Sequence, residues 1–558
     1  MNPLKQLKQI NPLRPLKPLK QLKQLKPLNP LKLAIIGAGP SAFYVASRVL
    51  KLLPLGMGGS TAGSGRDADG GGSGKETMSE RGSGSGMNGK ETRETTRNVD
   101  GKENSNVRVH LYDRLWAPYG LVRYGVAPDH PEVKNCTHKF RQTAQDARFE
   151  FFGGVNVVSS ASSPSSAPTA PTPHPLTLPL STLFKSYTHI LFATGCTQPT
   201  LHPSIPPSSR CVPASEVVGW YTGNPTSTPS SPSPLHHPNL THIHHVTIIG
   251  HGNVALDIAR LLLSPFDALS TLDIPRSVLE VMERSGVRHV SVVGRRGLGE
   301  ASFGVKEVRE MMRLEGVGMR PLEEGLLRGV GGEGGGGGTE LTRRQKRMVD
   351  LLKKGSRCEY GTTEKSWSLE FFRSPVGLTE SHPSAQLSLA HTILDPTTHR
   401  AIPTGEISSL STDLVITSLG FHGEPSAPFY DPILGHIRTA LGGGGVITAD
   451  GKRVERVYAS GWAAMGAKGV LAATMMNAYG VADEIVGDWG GGVNDEEEEG
   501  GQTLDSLPEV VQRGLEEGTV VTYDDWLRVD EEEIRRGAQV GKERERMTWE
   551  DVRTFLKT

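Results

Sequence analysis

The most constraining feature of the sequence is a local pattern that occurs twice: an apolar strand, a glycine-rich turn and a helix. Residues 32–36 (KLAII) precede a turn that begins at Gly37, and 245–249 (HVTII) precede a turn that begins at Gly250. Each turn is followed by a helix-like stretch and then a further apolar strand. Such strand–helix–strand units place their strands parallel. The sequence therefore predicts an α/β fold with two parallel sheets.

In the first turn, small residues occupy the three positions at which a dinucleotide-binding turn requires them. Gly37 permits the tight turn, and Gly39 lets the backbone approach a pyrophosphate. Ala42 occupies the third position, where a small side chain allows the helix to pack closely on the strand. The first amide groups of the helix would then donate to the phosphates. Because the turn follows a strand and opens a helix, its context supports nucleotide binding.

Asp113 is the candidate ribose ligand of this first turn. Such a carboxylate usually lies about 20 residues after the first glycine, at the end of the next strand. Asp113 follows the strand 107–112 but lies 76 residues after Gly37 (113 less 37). When the Gly/Ser-rich insert 54–106, of 53 residues, is set aside, 23 remain. We expect Asp113 to accept hydrogen bonds from a free ribose diol; an ordinary strand-end aspartate is the alternative.

The second turn has a partner of opposite charge. Its residues are Gly250, His251, Gly252 and Asn253. The strand that follows ends in VVGRRG, which places Arg295 and Arg296 where an acid would otherwise stand. Paired guanidinium groups suit the 2′-phosphate of NADPH through charge-assisted hydrogen bonds. A surface arginine pair is the alternative. One turn for a diol and one for a phosphate together predict FAD plus NADPH, and hydride transfer between them.

Composition narrows the function further. The 558 residues carry 61 basic and 61 acidic side chains, so no overall field favours nucleic acid. The four cysteines (Cys136, Cys196, Cys211 and Cys358) show no CxxC spacing, which argues against a redox dithiol and against a metal or cluster site. No apolar run has the length of a transmembrane segment.

Residues 115–135 (LWAPYGLVRYGVAPDHPEVKN) resemble the adrenodoxin reductase family, the mitochondrial NADPH:adrenodoxin oxidoreductases. So do GHGNVALDIARLLL at 250–263, VVGRRG at 292–297, FFRSP at 371–375 and SGWAAMGAKGVLAATMM at 460–476. The matching blocks run from about residue 33 to the C-terminus. The resemblance implies a glutathione-reductase-like fold, in which an NADPH domain is inserted into a discontinuous FAD domain.

The resemblance also implies particular cofactor contacts. Those for FAD are Ser41, Asp113, Leu121, Val157, Trp462, Gly469, Val470 and Leu471. Those for NADPH are Gly250 to Asn253, Arg295, Arg296, Glu307 and, near the nicotinamide, Gly469. The family's histidine and aspartate near the flavin match His130 and Asp257, which could relay or orient a proton. A plain helix-face hydrogen bond is the alternative for Asp257.

The partner implied by the resemblance is an acidic 2Fe–2S ferredoxin of the adrenodoxin type. Arg309, Arg343 and Arg347 match basic docking positions of the family. Taken alone, the basic run 342–354 also fits a solvated helix face. A basic patch of this kind would attract an acidic partner and make the encounter rate dependent on salt.

The predicted organisation has four parts. Residues 1–31 are a basic leader, interpreted as a mitochondrial presequence or else as a disordered tail. The FAD domain comprises 32–199, with disordered inserts at 54–106 and 158–182, and 413–558; the NADPH domain comprises 200–412. The resemblance implies the mitochondrial matrix, with peripheral association with the inner membrane. Two rival functions remain, a dithiol-type flavin reductase and a non-catalytic nucleotide-binding scaffold.

Overall fold

Strands buried on both faces form the framework of the protein. In the strand Leu31–Ile36, Leu33 and Ile35 pack into the hydrophobic cluster on one side of the sheet. Ala34 and Ile36 pack into a second cluster on the opposite side. Parallel strands covered by helices on both sides have this continuous apolar character. The apolar run at 32–36 is therefore a central strand.

The computed structural model describes residues 30–54, 105–159, 176–225, 239–328, 342–490 and 504–557. The predicted leader and the two predicted inserts lie largely outside these ranges.

The described strands are numbered in chain order. They are β1 (Leu31–Ile36), β2 (Val107–Asp113), β3 (Phe149–Gly153), β4 (Val155–Val158), β5 (Leu176–Pro179), β6 (His189–Phe192), β7 (Gln198–Pro199), β8 (Cys211–Pro213), β9 (His245–Ile249), β10 (His289–Val293), β11 (Val317–Met319), β12 (Lys365–Glu370), β13 (Arg373–Thr379), β14 (Ala385–Leu394), β15 (Ala401–Thr412), β16 (Leu414–Thr417), β17 (Phe421–His422), β18 (Tyr430–Asp431), β19 (His436–Ile437), β20 (Gly445–Ile447) and β21 (Arg453–Ala459).

The helices are numbered in the same way. They are α1 (Pro40–Leu52), α2 (Leu121–Tyr124), α3 (Thr137–Ala144), α4 (Leu180–Ser186), α5 (Ala214–Thr222), α6 (Asn253–Leu263), α7 (Phe266–Ser270), α8 (Arg276–Glu283), α9 (Val305–Arg313), α10 (Glu324–Arg328), α11 (Arg343–Lys354), α12 (Trp462–Met465), α13 (Leu471–Gly490), α14 (Glu509–Glu516), α15 (Tyr523–Gln539) and α16 (Trp549–Leu556). Within the described ranges, none of them combines the length and the hydropathy that a bilayer span requires.

Two six-stranded sheets organise these elements. The first has the order β20–β21–β6–β1–β2–β3, and its strands are parallel except at the β20–β21 edge. The second has the order β11–β12–β10–β9–β16–β8, and its neighbouring strands are all parallel. A three-stranded antiparallel sheet, β13–β14–β15, lies beside the second. The predicted α/β class with parallel sheets is confirmed.

The chain contributes its middle part to the second sheet and both flanking parts to the first. It passes between the sheets along β7 and β17, which pair antiparallel with each other. The domain limits remain a prediction. Strand β16 (Leu414–Thr417), which follows the predicted boundary at residue 412, lies between β9 and β8 in the second sheet.

The disordered insert predicted at 158–182 includes residues that form regular structure. Leu176–Pro179 form β5, which pairs parallel with β4, and α4 follows at once. Leu176 and Leu178 are buried although the residues before them are rich in Ser, Pro and Thr. Two alternating leucines are enough to anchor a short strand, and the composition of the region concealed them.

A buried cluster of charges joins the C-terminal segment to both sheet regions. Arg546 donates from Nε and Nη2 to both carboxylate oxygens of Asp273, at 2.7 and 2.6 Å, and Lys134 Nζ lies 2.9 Å from the same carboxylate. Arg123 pairs with Glu533 at 2.7 Å. Burial alone would raise the pKa of Asp273, but Arg546 and Lys134 outweigh it and hold the pKa below its usual value.

Replacing Asp273 with Asn should therefore destabilise the protein in a pH-dependent way. The variant removes the carboxylate that Arg546 and Lys134 bind directly, and breaking such a buried pair costs about 3–5 kcal/mol near neutral pH. A depressed pKa contributes stability above the unfolded value and loses it as the pH falls through the folded value. Urea unfolding at several pH values should show the wild type losing its advantage in acid.

The matched control is Asp267→Asn, the same change at an exposed site six residues away. We expect it to alter the free energy of unfolding by less than about 0.5 kcal/mol. A constant difference between wild type and Asp273→Asn across the acidic range would contradict the assignment.

Candidate active site

Each glycine-rich turn begins where its backbone lies against the end of a neighbouring strand. Gly37 has φ +98, and a Cβ there would lie 2.6 Å from the carbonyl oxygen of Ala193, just after β6. Gly250 has φ +133, and its Cβ would lie 2.1 Å from the carbonyl oxygen of Ser418, just after β16. Only glycine satisfies both the dihedral angle and the lack of space. The two turns are thus built alike.

The second glycine of each turn faces open space instead. A Cβ on Gly39 or on Gly252 would have no heavy atom within 4 Å. These glycines cap α1 and α6, and neither cap makes a side-chain hydrogen bond. The first amide groups of both helices thus have no side-chain cap, which is the arrangement that binds a phosphate. Both turns fit a pyrophosphate.

Asp113 lies at the end of β2, as the corrected spacing predicted. Its Oδ2 accepts a hydrogen bond of 2.6 Å from the amide of Ala38, inside the first turn. Its Oδ1 accepts one of 2.7 Å from Leu115. Burial raises the pKa of Asp113, and these two donors oppose that effect. Each carboxylate oxygen retains acceptor capacity for a ribose hydroxyl.

The helix that follows the first turn packs on the C-terminal part of the chain. Ala42 is fully buried, as expected for the small residue at the third position. The Ser41 hydroxyl donates to Ser460 at 2.7 Å, and a Cβ on Gly461 would meet the Ser41 Cβ at 2.7 Å. The Ser41 side chain is thus occupied by a structural contact, so a role in FAD binding would fall to its backbone.

Two of the predicted flavin contacts have apolar, exposed side chains. Leu121 is 44% exposed and Val470 is 68% exposed. The helix that starts at Leu121 begins beside the first turn, because a Cβ on Gly120 would lie 3.1 Å from the Gly39 Cα. The exposed apolar side chain of Leu121, beside this open turn, suits a flat aromatic ligand. The other predicted contacts, Val157, Trp462 and Leu471, are half-buried, and Gly469 is exposed with φ +86.

In the second turn, the side chains of His251 and Asn253 are held by contacts within the protein. The His251 imidazole donates from Nε2 to the carbonyl of Val292, and burial lowers its pKa to about 4. This side chain is neutral and packed against β10, so only the backbone of His251 is available to a cofactor. Asn253 accepts a hydrogen bond from Gly304 and donates one of 3.0 Å to Glu307.

Arg295 and Arg296 follow β10, next to the second turn. The amide of Gly250 donates to Val293 at 2.8 Å, which brings the arginine loop beside that turn. Both arginine side chains are exposed. Within the described ranges neither makes a side-chain hydrogen bond or ion pair, so their charge is available to an anion.

The predicted pair of His130 and Asp257 is part of a larger charged cluster. His130 Nε2 donates to Glu310 at 2.9 Å. Arg260 lies 2.9 Å from Asp257, binds Asp129 through two hydrogen bonds of 2.5 and 2.9 Å, and lies 3.3 Å from Glu310. Burial raises the pKa of Asp257, against the pull of Arg260 and His130. The direct partner of His130 is thus Glu310.

Comparison with known proteins identifies the family. The chain is 33% identical over 469 residues to the mitochondrial NADPH:adrenodoxin oxidoreductase of Salvelinus fontinalis, covering 80% of this chain and 85% of that protein. It is 32% identical over 471 residues to the Homo sapiens protein of that name, with 80% and 86% covered. The chain belongs to the NADPH:adrenodoxin oxidoreductase family. No family model matches it.

The fold agrees with a solved structure. Mycobacterium tuberculosis FprA in complex with NADPH superposes with a TM-score of 0.69 at 24% identity, covering 94% of this chain and 99% of that one.

The basic positions expected from the adrenodoxin oxidoreductase family lie on two adjacent helices. Arg309 is on α9, and Arg343 and Arg347 are on α11, which packs against α9. All three are exposed, and they make no ion pair with the residues described. Arg344 differs, since its guanidinium binds the backbone carbonyls of 301–303. The three arginines can therefore form one accessible surface.

Sequence reasoning missed three members of the charged cluster: Asp129, Arg260 and Glu310. Asp257 and Arg260 are three residues apart on α6, a spacing that places side chains on one helix face. That spacing was a usable signal. Asp129 and Glu310 come from distant segments, and no local pattern indicates them.

Replacing Gly37 with Ala should damage folding, whereas the same change at Gly39 should not. The Cβ at residue 37 meets backbone and requires a left-handed dihedral angle, so we expect a loss of about 1–3 kcal/mol. Gly39→Ala should stay within about 0.5 kcal/mol of the wild type. Urea unfolding measures both; equal losses would show that the two glycines are not distinct in role.

Proposed function

We propose that this protein is an FAD-dependent oxidoreductase that takes electrons from NADPH and delivers them to a ferredoxin. The observation that carries this proposal is the difference between two similar turns. A carboxylate, Asp113, lies beside the first, and two unpaired guanidinium groups, Arg295 and Arg296, lie beside the second. The carboxylate suits a free ribose diol, and the guanidinium groups suit a ribose that carries a phosphate.

The first turn would hold FAD. Gly39 leaves room for the pyrophosphate, Asp113 accepts the ribose hydroxyls, and the exposed side chains of Leu121 and Val470 cover the flavin ring. Gly469, Leu471, Trp462 and Val157 complete the set. When bound, FAD supplies the chemistry of accepting a hydride and releasing its electrons one at a time.

The second turn would hold NADPH. Gly252 leaves room for its pyrophosphate, and Asn253 with Glu307 orders the start of α6. Arg295 and Arg296 bind the 2′-phosphate. A charge-assisted hydrogen bond contributes about 1.5–3 kcal/mol, enough to favour NADPH over NADH about ten- to hundredfold.

The charged cluster would control protons beside the flavin. The hydrogen bond from His130 Nε2 to Glu310 would fix the orientation of the imidazole. Arg260 orients Asp129 and Asp257 around this site. These residues would position and stabilise charge near the bound cofactors.

The electron acceptor would be an acidic 2Fe–2S ferredoxin of the adrenodoxin type, docked on Arg309, Arg343 and Arg347. The names of the relatives include adrenodoxin and a mitochondrial location, which supports this partner and that compartment. The mitochondrial matrix, with the protein at the inner membrane surface, is the site we propose.

The rival dithiol mechanism has no support in the geometry. The four cysteines are free and come from four separate segments: Cys136, Cys196, Cys211 and Cys358. Burial raises the pKa of Cys196 to about 11, which makes its thiolate scarce. If the protein were instead a non-catalytic nucleotide-binding scaffold, it would bind a flavin that NADPH cannot reduce.

The first test is Arg296→Glu in the purified flavoprotein. The variant should raise KM for NADPH by about tenfold or more and change KM for NADH little, because only NADPH carries the phosphate. Steady-state ferricyanide reduction with each nucleotide measures both constants. Equal changes would refute the phosphate role, and a wild type that holds flavin without reduction by NADPH would favour the scaffold.

The second test is charge reversal at the docking surface. The double variant Arg343→Glu and Arg347→Glu should slow ferredoxin reduction about tenfold or more at low salt and leave ferricyanide reduction unchanged. Lys452→Glu, an exposed reversal on the turn between β20 and β21, is the matched control. A parallel loss of both activities in the double variant would remove the docking assignment.

A further inference from the structure

We infer that Thr392 is a positioning residue for the 2′-phosphate of NADPH, because its hydroxyl fixes the loop that carries Arg295 and Arg296. The inference rests on the proposed function. It assigns a role in nucleotide selection to the three-stranded sheet, which contributes no residue to the two glycine-rich turns.

The arginine loop is tied to this sheet through three consecutive carbonyl groups. The carbonyl of Gly294 accepts from the amide of Arg373 at 3.0 Å. The carbonyl of Arg295 accepts from the Thr392 hydroxyl at 2.7 Å. The carbonyl of Arg296 accepts from the amide of Phe372 at 3.4 Å. The loop backbone is therefore held on the side that faces β13 and β14.

Thr392 supplies the only side-chain donor of these three. It is 5% exposed, so its hydroxyl is shielded from water. Its own amide donates to the carbonyl of Phe372 at 3.0 Å, which holds Thr392 beside the start of β13. The pairing of β14 with β15 shifts register between Ala390 and Thr392. Thr392 is the first paired residue after this shift. Irregularities of this kind redirect side chains.

This arrangement fixes the loop without using the arginine side chains. Both guanidinium groups stay exposed and make no side-chain hydrogen bond or ion pair within the described ranges. A carbonyl that is bound to the sheet cannot turn toward a dianionic phosphate, where it would repel the ligand. A fixed backbone also reduces the conformational entropy that binding must remove. Thr392 thus favours the phosphorylated nucleotide through its effect on the loop.

The experiment compares Thr392→Val with Thr392→Ser in the purified flavoprotein. Valine keeps the shape and removes the hydroxyl, whereas serine keeps the hydroxyl. We expect Thr392→Val to raise KM for NADPH about three- to tenfold, with kcat and KM for NADH unchanged. The inhibition constant of 2′,5′-ADP should rise by the same factor, and that of 5′-AMP should not. Thr392→Ser should behave as wild type.

A purely structural role would produce a different pattern. Equal changes for NADPH and NADH, or no change for either, would overturn the inference; so would a Thr392→Ser variant as impaired as Thr392→Val. The flavin absorption spectrum shows whether each variant is folded, and Thr392→Ala replaces Thr392→Val should the latter not accumulate. Failure of NADPH to reduce the wild-type flavin would instead refute the proposed function.

Discussion

The architecture depends on two places where backbone passes against backbone with no side chain between. Gly37 lies on Ala193 and Gly250 lies on Ser418, and in each case a Cβ would overlap a carbonyl oxygen. This close approach turns the chain from a strand directly into a helix at the carboxyl edge of a parallel sheet. The uncapped helix amides then open onto the same edge, where ligands of such sheets bind. Two nucleotide sites follow from one steric constraint.

What distinguishes the two sites is the residue at the end of the next strand, since the turns themselves are alike. Asp113 is bonded to its own turn through Ala38, so its negative charge is fixed where a ribose would lie. Among the residues that the structure describes, Arg295 and Arg296 are bonded through their carbonyl groups alone, so their positive charge stays available. A carboxylate repels a 2′-phosphate and a guanidinium attracts it. The two turns thus differ in local charge, as the proposed binding of a flavin nucleotide at one and of NADPH at the other requires.

The sequence predicted the features that depend on local spacing and missed those that depend on distant segments. The strand before Gly37, the place of Asp113 and the accessible arginines all follow from short patterns. The insert predicted at 158–182 was wrong at its C-terminal end because the Ser/Pro/Thr-rich composition concealed two buried leucines. The spacing of the second turn does not indicate which way the His251 side chain points, so its contact with Val292 could not be predicted. Glu310, the partner of His130, is 180 residues away along the chain. No periodicity encodes such a pairing, because it arises only when two sheets are packed together.

Ion pairs of unequal strength hold the two nucleotide turns in position relative to each other. Lys306 and Glu132 are both about half exposed, so solvent screens their ion pair and it contributes little. Asp273 and Arg546 are almost fully buried, and breaking that pair leaves a charge without compensation. Hydride transfer requires reacting atoms about 3–3.5 Å apart, so a small slip between the sheets would abolish it. Of these two contacts, the buried pair at Asp273 is therefore the one that holds the regions of the two sheets together more strongly, although it touches neither turn.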